Sequence, residues 1–137
     1  MKNFEKMLHF KTEKRFQILN ITDEIEKICQ DSGIKEGFCL VFPMHTTSGV
    51  FINDIDYSLT EDIVDFMEKL VPENANYRHN GPHEANADGH IRQLLAGHHI
   101  TLPVCRGKLF TGGYQTIYYA EYDGQRKKEV LVKIIGM

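Results

Sequence analysis

The chain has 137 residues, 42% of them hydrophobic and 26% charged, and this balance predicts one compact domain spanning residues 1–137. A net charge of −3 gives no basic footprint, which argues against nucleic acid or an anionic membrane as the main partner. Cys29, Cys39 and Cys105 form no CxxC pair, so they predict reduced thiols in a cytoplasmic protein rather than a disulfide framework or a zinc ribbon. The charged start MKNFEKMLHFKTEKRF predicts no signal peptide, and no apolar run is long enough to predict a membrane span.

The first half of the chain predicts four strands and two helices. EKMLHFKTE and RFQILN have the pattern of short strands, and NITDEIEKICQDSG that of a helix with Thr22 as N-cap and Gly33 as its stop. GFCLVFP and GVFIND predict buried strands. A second helix follows, begun by a capping box of Ser58 and Glu61 and closed by Pro72.

The second half begins with PENANYRHNGPHEANADG, a long segment almost without aliphatic side chains, which is typical of a functional or disordered loop. A short helix, HIRQLLAG, ends at Gly97, and three strands follow in ITLPV, YQTIYYAEY and KEVLVKII, with turns in CRGK and DGQRK. These elements predict an α+β fold: one mixed or mostly antiparallel sheet, with two main helices and one short helix on one face.

Histidine is the over-represented residue type, with seven in the chain. His45, His79 and His90 each lie where an element meets a loop, the usual place for a binding site. Asp62, in the first turn of the second helix, is a candidate carboxylate for the same site. The alternative is that the histidines are solvated and that Asp62 only favours the positive start of its helix.

Other polar groups give weaker predictions of a functional site. Adjacent side chains diverge in an extended chain, so His98 and His99 are not expected to chelate one ion. The glycines and cations of CRGK, including Arg106 and Lys108, have weak potential to bind an anion, and Cys105 has no local base that would make it a nucleophile. The QRKK run is expected to form a solvated hairpin turn.

Five segments together resemble the YjbQ-like family: HTTSGVFIND, VPENANYRH, HIRQLLAG, LPVCRGKLFTGGYQTI and EYDGQR, in this order along the whole chain. The resemblance implies an α+β subunit in a homotrimer, with the polar cluster near a subunit boundary. Some members are described as secondary thiamine-phosphate synthases. Asp54 stands where the family usually has Glu, GGYQ replaces the usual GTWQ, and His99 replaces the usual serine.

The resemblance and the residue patterns together define the expected site. The candidate catalytic residues are His45, Asp62, His79 and His90, and the three histidines are also candidate metal ligands. The candidate substrate-binding residues are Thr46, Thr47, Asn53, Asp54, Tyr77, Arg106, Lys108, Gln115 and Glu121. HTTSGVFIND is then expected to form one wall of a pocket, with His45 and Asp54 near its two rims.

Several functions remain open for such a site. The resemblance implies condensation of a hydroxymethylpyrimidine diphosphate with a thiazole phosphate, for which Mg²⁺ is the expected cation. Mg²⁺ prefers oxygen ligands, however, whereas three histidines suit zinc or another transition metal. The alternatives are therefore a metal-assisted hydrolase or other phosphate-handling enzyme, a non-catalytic trimeric protein that binds a small phosphorylated metabolite, and a structural metal site that staples the long loop.

Overall fold

The computed structural model describes all 137 residues. The helices are α1 (Thr22–Ser32), α2 (Tyr57–Leu70) and α3 (Ala87–Ala96). The strands are β1 (Lys2–Phe10), β2 (Gln17–Asn20), β3 (Glu36–Pro43), β4 (Ser48–Asn53), β5 (Ile100–Cys105), β6 (Lys108–Leu109), β7 (Thr116–Glu121) and β8 (Lys128–Gly136). Every predicted element is present, and β6 is a short addition that forms a hairpin with β5.

The strands form two antiparallel sheets, one with the order β1-β8-β3-β5-β6 and one with the order β2-β7-β4. This confirms the single-domain α+β class with antiparallel pairing and three helices. The expectation of one sheet is corrected to two. The last three long strands do not pair with one another, because β5 and β8 both pair with β3, whereas β7 lies between β2 and β4.

The core lies where α1 and the inner faces of the two sheets meet. Helix α1 buries Ile25 and Ile28, and β8 buries the alternating residues Val130, Val132 and Ile134. Burial of one such aliphatic side chain stabilises the fold by about 1.5–3 kcal/mol. A core built this way leaves the strand ends and their loops free to carry polar groups.

The starts of α1 and α2 differ from prediction by one and two residues, and α3 begins at Ala87, three residues before the predicted start at His90. Ile21 rather than Thr22 occupies the N-cap of α1, and the Thr22 hydroxyl instead accepts the N–H of Ile117. Helix α2 is capped by Asp56, whose carboxylate accepts the N–H of Ser58, so the expected capping box does not form. Gly33 ends α1 in the left-handed conformation, as predicted, with a φ of 70°.

Helices α2 and α3 carry large apolar side chains on their outer surfaces. Phe66, Leu70, Leu94 and Leu95 are all more than half exposed. Helix α3 is tied to the end of α2, because the guanidinium of Arg92 donates two hydrogen bonds to the carbonyl oxygen of Val71. No helix has both the length and the apolar character that crossing a membrane requires.

Candidate functional site

A polar cavity of 460 Å³ opens where the end of β3, the start of α3 and the β7–β8 connection meet. We call it the polar pocket. Only one of its lining residues is hydrophobic. The lining residues are Met44, His45, Thr46, Thr47, Glu84, Asn86, His90, Asp123, Arg126, Lys127 and Lys128. The chain thus brings together two of the three predicted histidines and both predicted threonines.

A buried ion pair stands behind the pocket. Lys128 Nζ lies 2.7 Å from Glu121 Oε2, and both side chains are almost fully buried. Burial raises the pKa of Tyr119, which stays protonated and donates a hydrogen bond of 2.6 Å to Glu121 Oε1. Lys128 also donates to Thr47 Oγ1 over 3.1 Å. Because that oxygen already accepts a hydrogen bond, the Thr47 hydroxyl keeps its own proton available for donation.

His45 is held in one tautomer. Its Nε2 accepts the backbone N–H of Glu129 at 2.9 Å, so the neutral ring carries its proton on Nδ1. Burial, followed by the nearby charge of Lys128, lowers the pKa of His45 from its ordinary value of 6.5. His45 is therefore a neutral hydrogen-bond donor at physiological pH.

His79 and His90 form a second pair at the side of the pocket. Their rings lie edge to face with centroids 4.9 Å apart. The Asn86 amide group donates to Glu84 and Asp123, so its oxygen must accept from His79 Nε2, 3.0 Å away. This fixes a proton on His79 Nε2 and leaves Nδ1 as the free lone pair of the neutral ring.

The start of α3, which carries His90, is anchored by buried charges. Asp88 is fully buried and accepts two hydrogen bonds of 2.8 Å from the Arg15 guanidinium. Arg92, one turn further along, lies 3.5 Å from the same carboxylate. Such a bidentate pair fixes geometry as well as charge, so Arg15 holds the first turn of α3 beside the pocket.

The structure separates other predicted residues from the polar pocket. Asn53 and Asp62 line a mainly apolar cavity of 410 Å³ between β4 and α2. Asp54 follows β4, and its carbonyl accepts the hydroxyl of Tyr118. At about 3.3 Å per residue, the six residues of β4 span about 17–20 Å, and Asp54 follows the far end of this strand whereas His45 precedes its start. The expectation that both residues rim one pocket is therefore wrong within a single chain.

The remaining candidates lie apart as well. Arg106 and Lys108 border a cavity of 660 Å³ beside β6, and the side-chain oxygen of Gln115 accepts the N–H of Gly112. Tyr77 lies beside His79 and His90 in a hollow that adjoins the pocket, and its hydroxyl donates to the carbonyl of Pro72.

The predicted three-histidine metal site does not match the geometry. No group of three or more His, Cys, Asp or Glu side chains is arranged to hold a metal ion. His45 Nε2 is engaged by Glu129, and His79 Nε2 by Asn86. The donor atoms of one chain therefore do not fit such an ion.

Two further expectations are corrected. QRKK is not only a solvated turn, since Arg126, Lys127 and Lys128 all line the polar pocket and Lys128 is buried. The rings of His98 and His99 do not diverge but lie with their Nδ1 atoms 3.1 Å apart, because the chain bends at His98 instead of running extended.

Sequence reasoning missed Asn86, Asp123 and the three cations as pocket residues. The available signal was three consecutive basic residues placed directly after the EYDGQ segment. A hairpin turn and a pocket wall have the same local sequence pattern, because they differ only in which distant segment packs against the turn.

Fold and pocket define the class: a small α+β protein with two antiparallel sheets and a polar pocket where they meet. The family described as "UPF0047 protein YjbQ-like" matches residues 6–137. The chain belongs to this family.

Relatives match over nearly the full length. A UPF0047 protein of Archaeoglobus fulgidus is 42% identical over 93% of this chain and 98% of its own. The UPF0047 protein YugU of Bacillus subtilis is 33% identical over 96% and 98%. The crystal structure of a YbjQ-like protein of unknown function from Sulfolobus solfataricus, 32% identical, matches with a TM-score of 0.95 over 99% of both chains. A YjbQ/UPF0047 structure from Clostridium acetobutylicum, 36% identical, has a TM-score of 0.89 over 95% and 99%.

Proposed function

We propose that the chain is an enzyme that binds a small phosphorylated metabolite in the polar pocket and assists the departure of a phosphate or diphosphate group. The observation that carries this proposal is the convergence of two histidines, two threonines and three consecutive cations in one cavity of 460 Å³. A cavity of this size suits a small ligand. The density of hydrogen-bond donors suits an anion.

The three cations of the pocket have different roles. Arg126 and Lys127 are exposed at the pocket and are the groups that meet the anion. Arg126 pairs with the buried Asp123 at 2.7 Å, but its own side chain is 61% exposed, so the guanidinium keeps donors free for a phosphate in the pocket. Lys128 is committed to Glu121, and its part is to orient the Thr47 hydroxyl.

The histidines supply the proton chemistry. His45 offers its Nδ1–H as a neutral donor, since Nε2 is occupied. His90 lines both the pocket and the adjoining hollow, and its ring packs edge to face with that of His79. His90 is therefore the general acid or base of the proposal.

The family resemblance supplies the reaction to test first, a thiamine-phosphate synthase condensation. The thiazole nitrogen forms a bond to the pyrimidine methylene carbon while the carbon–oxygen bond to diphosphate breaks. The electron pair of that bond leaves with pyrophosphate. Cations held near the departing oxygens stabilise the charge that develops there.

A bound Mg²⁺ would add to that stabilisation, and the pocket's oxygen donors for it are Glu84 and Asp123. Both carboxylates already accept hydrogen bonds from the Asn86 amide group. The proposal therefore rests on Arg126 and Lys127 rather than on a metal.

Hydrolysis of a phosphate ester is the second candidate. It is favoured by the free Nδ1 lone pair of His79, which lies beside His90 and can accept a proton from water. The third candidate is a non-catalytic module. It would bind the phosphorylated metabolite with the same cations and would need no proton transfer by the histidines.

The test is a binding titration with inorganic pyrophosphate, followed by an assay of thiamine phosphate formation from its two precursors with Mg²⁺ supplied. Arg126→Gln is expected to weaken pyrophosphate binding about tenfold or more, because a hydrogen bond to a charged group contributes about 1.5–3 kcal/mol. His90→Gln is expected to keep the binding and lose turnover.

Lys69→Gln is the matched control, since this exposed lysine lies in the last turn of α2 and does not line the pocket. Absence of pyrophosphate binding by the wild type would overturn the proposal. Binding without turnover of the thiamine precursors or of a simple phosphate ester would replace the enzyme by the non-catalytic module.

A further inference from the structure

Two adjacent histidines converge outside the polar pocket, where α3 ends and β5 begins. The Nδ1 atoms of His98 and His99 lie 3.1 Å apart. His99 is exposed and His98 half-buried, so the pair is accessible from solvent. Neither residue lines the polar pocket.

The surrounding fold holds the rings of His98 and His99 close together. Both rings pack against Phe42, with centroids 4.6 Å and 5.2 Å from its ring. The backbone carbonyl of His98 accepts the N–H of Val50 on β4 at 3.1 Å. Gly97 takes a φ of 109°, which favours glycine, and turns the chain at this point. A Cβ on Gly49 would collide with the carbonyl oxygen of Gly97, so β4 and this segment are in close contact.

The nitrogen–nitrogen contact defines a protonation pattern. One ring must donate a proton from Nδ1 and the other must accept it with a lone pair. If the donor ring moves its proton from Nδ1 to Nε2, both Nδ1 atoms present lone pairs to the same point. The neutral pair makes this change without net release of a proton.

We propose that His98 and His99 chelate one divalent transition-metal ion through their Nδ1 atoms. Imidazole suits Zn²⁺, Cu²⁺ and Ni²⁺. With metal–nitrogen bonds of about 2.0–2.1 Å, two cis ligands lie about 3.4 Å apart in a tetrahedral site and about 2.9 Å apart in a square-planar one. The observed 3.1 Å lies between the two, so the nitrogens already have the separation that a shared ion requires, and rotation of the rings aims both lone pairs at it. Water fills the remaining positions on the ion.

Calorimetric titration of metal-free protein with ZnCl₂ at neutral pH tests the site. The wild type is expected to bind one ion at this site. His99→Gln is expected to weaken that binding by about tenfold or more, since loss of even a hydrogen-bond partner of a metal-bound histidine costs roughly 10- to 100-fold. His83→Gln, which removes an exposed histidine of the long loop, is the matched control and is expected to bind as the wild type does.

Nitrogen-15 NMR of the histidine rings supplies a second readout that does not depend on affinity. Zn²⁺ is expected to shift Nδ1 of His98 and His99 and to remove the donor–acceptor difference between them. A variant with His45, His79 and His90 all changed to Gln separates this site from the pocket. Zn²⁺ binding that survives His99→Gln, or that disappears in the triple variant, would overturn the proposal, as would absence of binding by the wild type.

Discussion

His45 is the pocket residue whose protonation the fold controls most directly. Burial and the charge of Lys128 lower its pKa in the folded chain, so the unfolded chain binds more protons as the pH falls below 6.5. The stability that His45 contributes is complete above that value and is lost as the pH falls toward the folded pKa. We expect the free energy of unfolding, measured in urea, to decrease with falling pH in this window, and His45→Gln to remove part of the decrease.

His83→Gln provides the comparison for that pH profile, because the His83 side chain is exposed in the long loop. We expect its profile to follow the wild type. If His45→Gln left the slope below pH 6.5 unchanged, burial and the charge of Lys128 would not control the titration of this ring.

The sequence identified candidate pocket residues more reliably than it identified the residues that they contact. His45 and His90 were found from their places at element ends, and the pocket includes both. Lys128 was missed because its partners cannot be read locally. Thr47 lies 81 positions away along the chain, and Glu121 lies on the other sheet. Only the folded arrangement distinguishes this lysine from its exposed neighbours.

Helix α3 shows how a single buried carboxylate can position an element. Asp88 contacts the guanidinium groups of both Arg15 and Arg92, and Arg92 is itself buried. Asp88→Asn keeps the shape but leaves the buried Arg92 without its counter-charge, and leaves Arg15 with only its longer contacts to two other carboxylates. We expect a loss of about 3–5 kcal/mol in the free energy of unfolding. Urea denaturation measures the loss, and hydrogen exchange is expected to quicken in α3.

The matched substitution is Asp31→Asn on α1, which removes an exposed pair with Lys27 at the same i,i+4 spacing. A pair of this kind contributes about 0.3–0.5 kcal/mol. Equal losses in the two variants would show that Asp88 does not anchor the helix.

For the helices and strands, the local sequence signals predicted where each element lies along the chain but not which strands pair. Gly33 and Gly97 mark helix ends in the sequence and in the structure. The division into two sheets depends on pairings such as Phe38 with Pro103 and Ile135, which are separated by long stretches of chain. No short-range pattern specifies such pairings, so the expected single sheet was wrong while the α+β class was correct.

In the whole molecule, the outer surfaces of α2 and α3 expose large apolar side chains. Phe66 and Ala96 line the same cavity, so the two helices are neighbours. Leu94 is 77% exposed and Phe66 59% exposed. Large exposed apolar patches on a protein surface usually mark sites of association with another molecule. We propose that this surface is the interface of the homotrimer that the family resemblance implies.

Sedimentation velocity tests that assembly. We expect a trimer for the wild type and monomers for Leu94→Asp, because a charge buried without a partner in an interface costs several kcal/mol. Phe110→Asp is the matched control, since it places the same charge on a side chain that is 67% exposed next to β6, the edge strand of the five-stranded sheet, whereas α3 packs on β4 of the other sheet. That variant is expected to stay trimeric. A trimer that survives Leu94→Asp would place the interface elsewhere on the molecule, and a monomeric wild type would rule out the trimer.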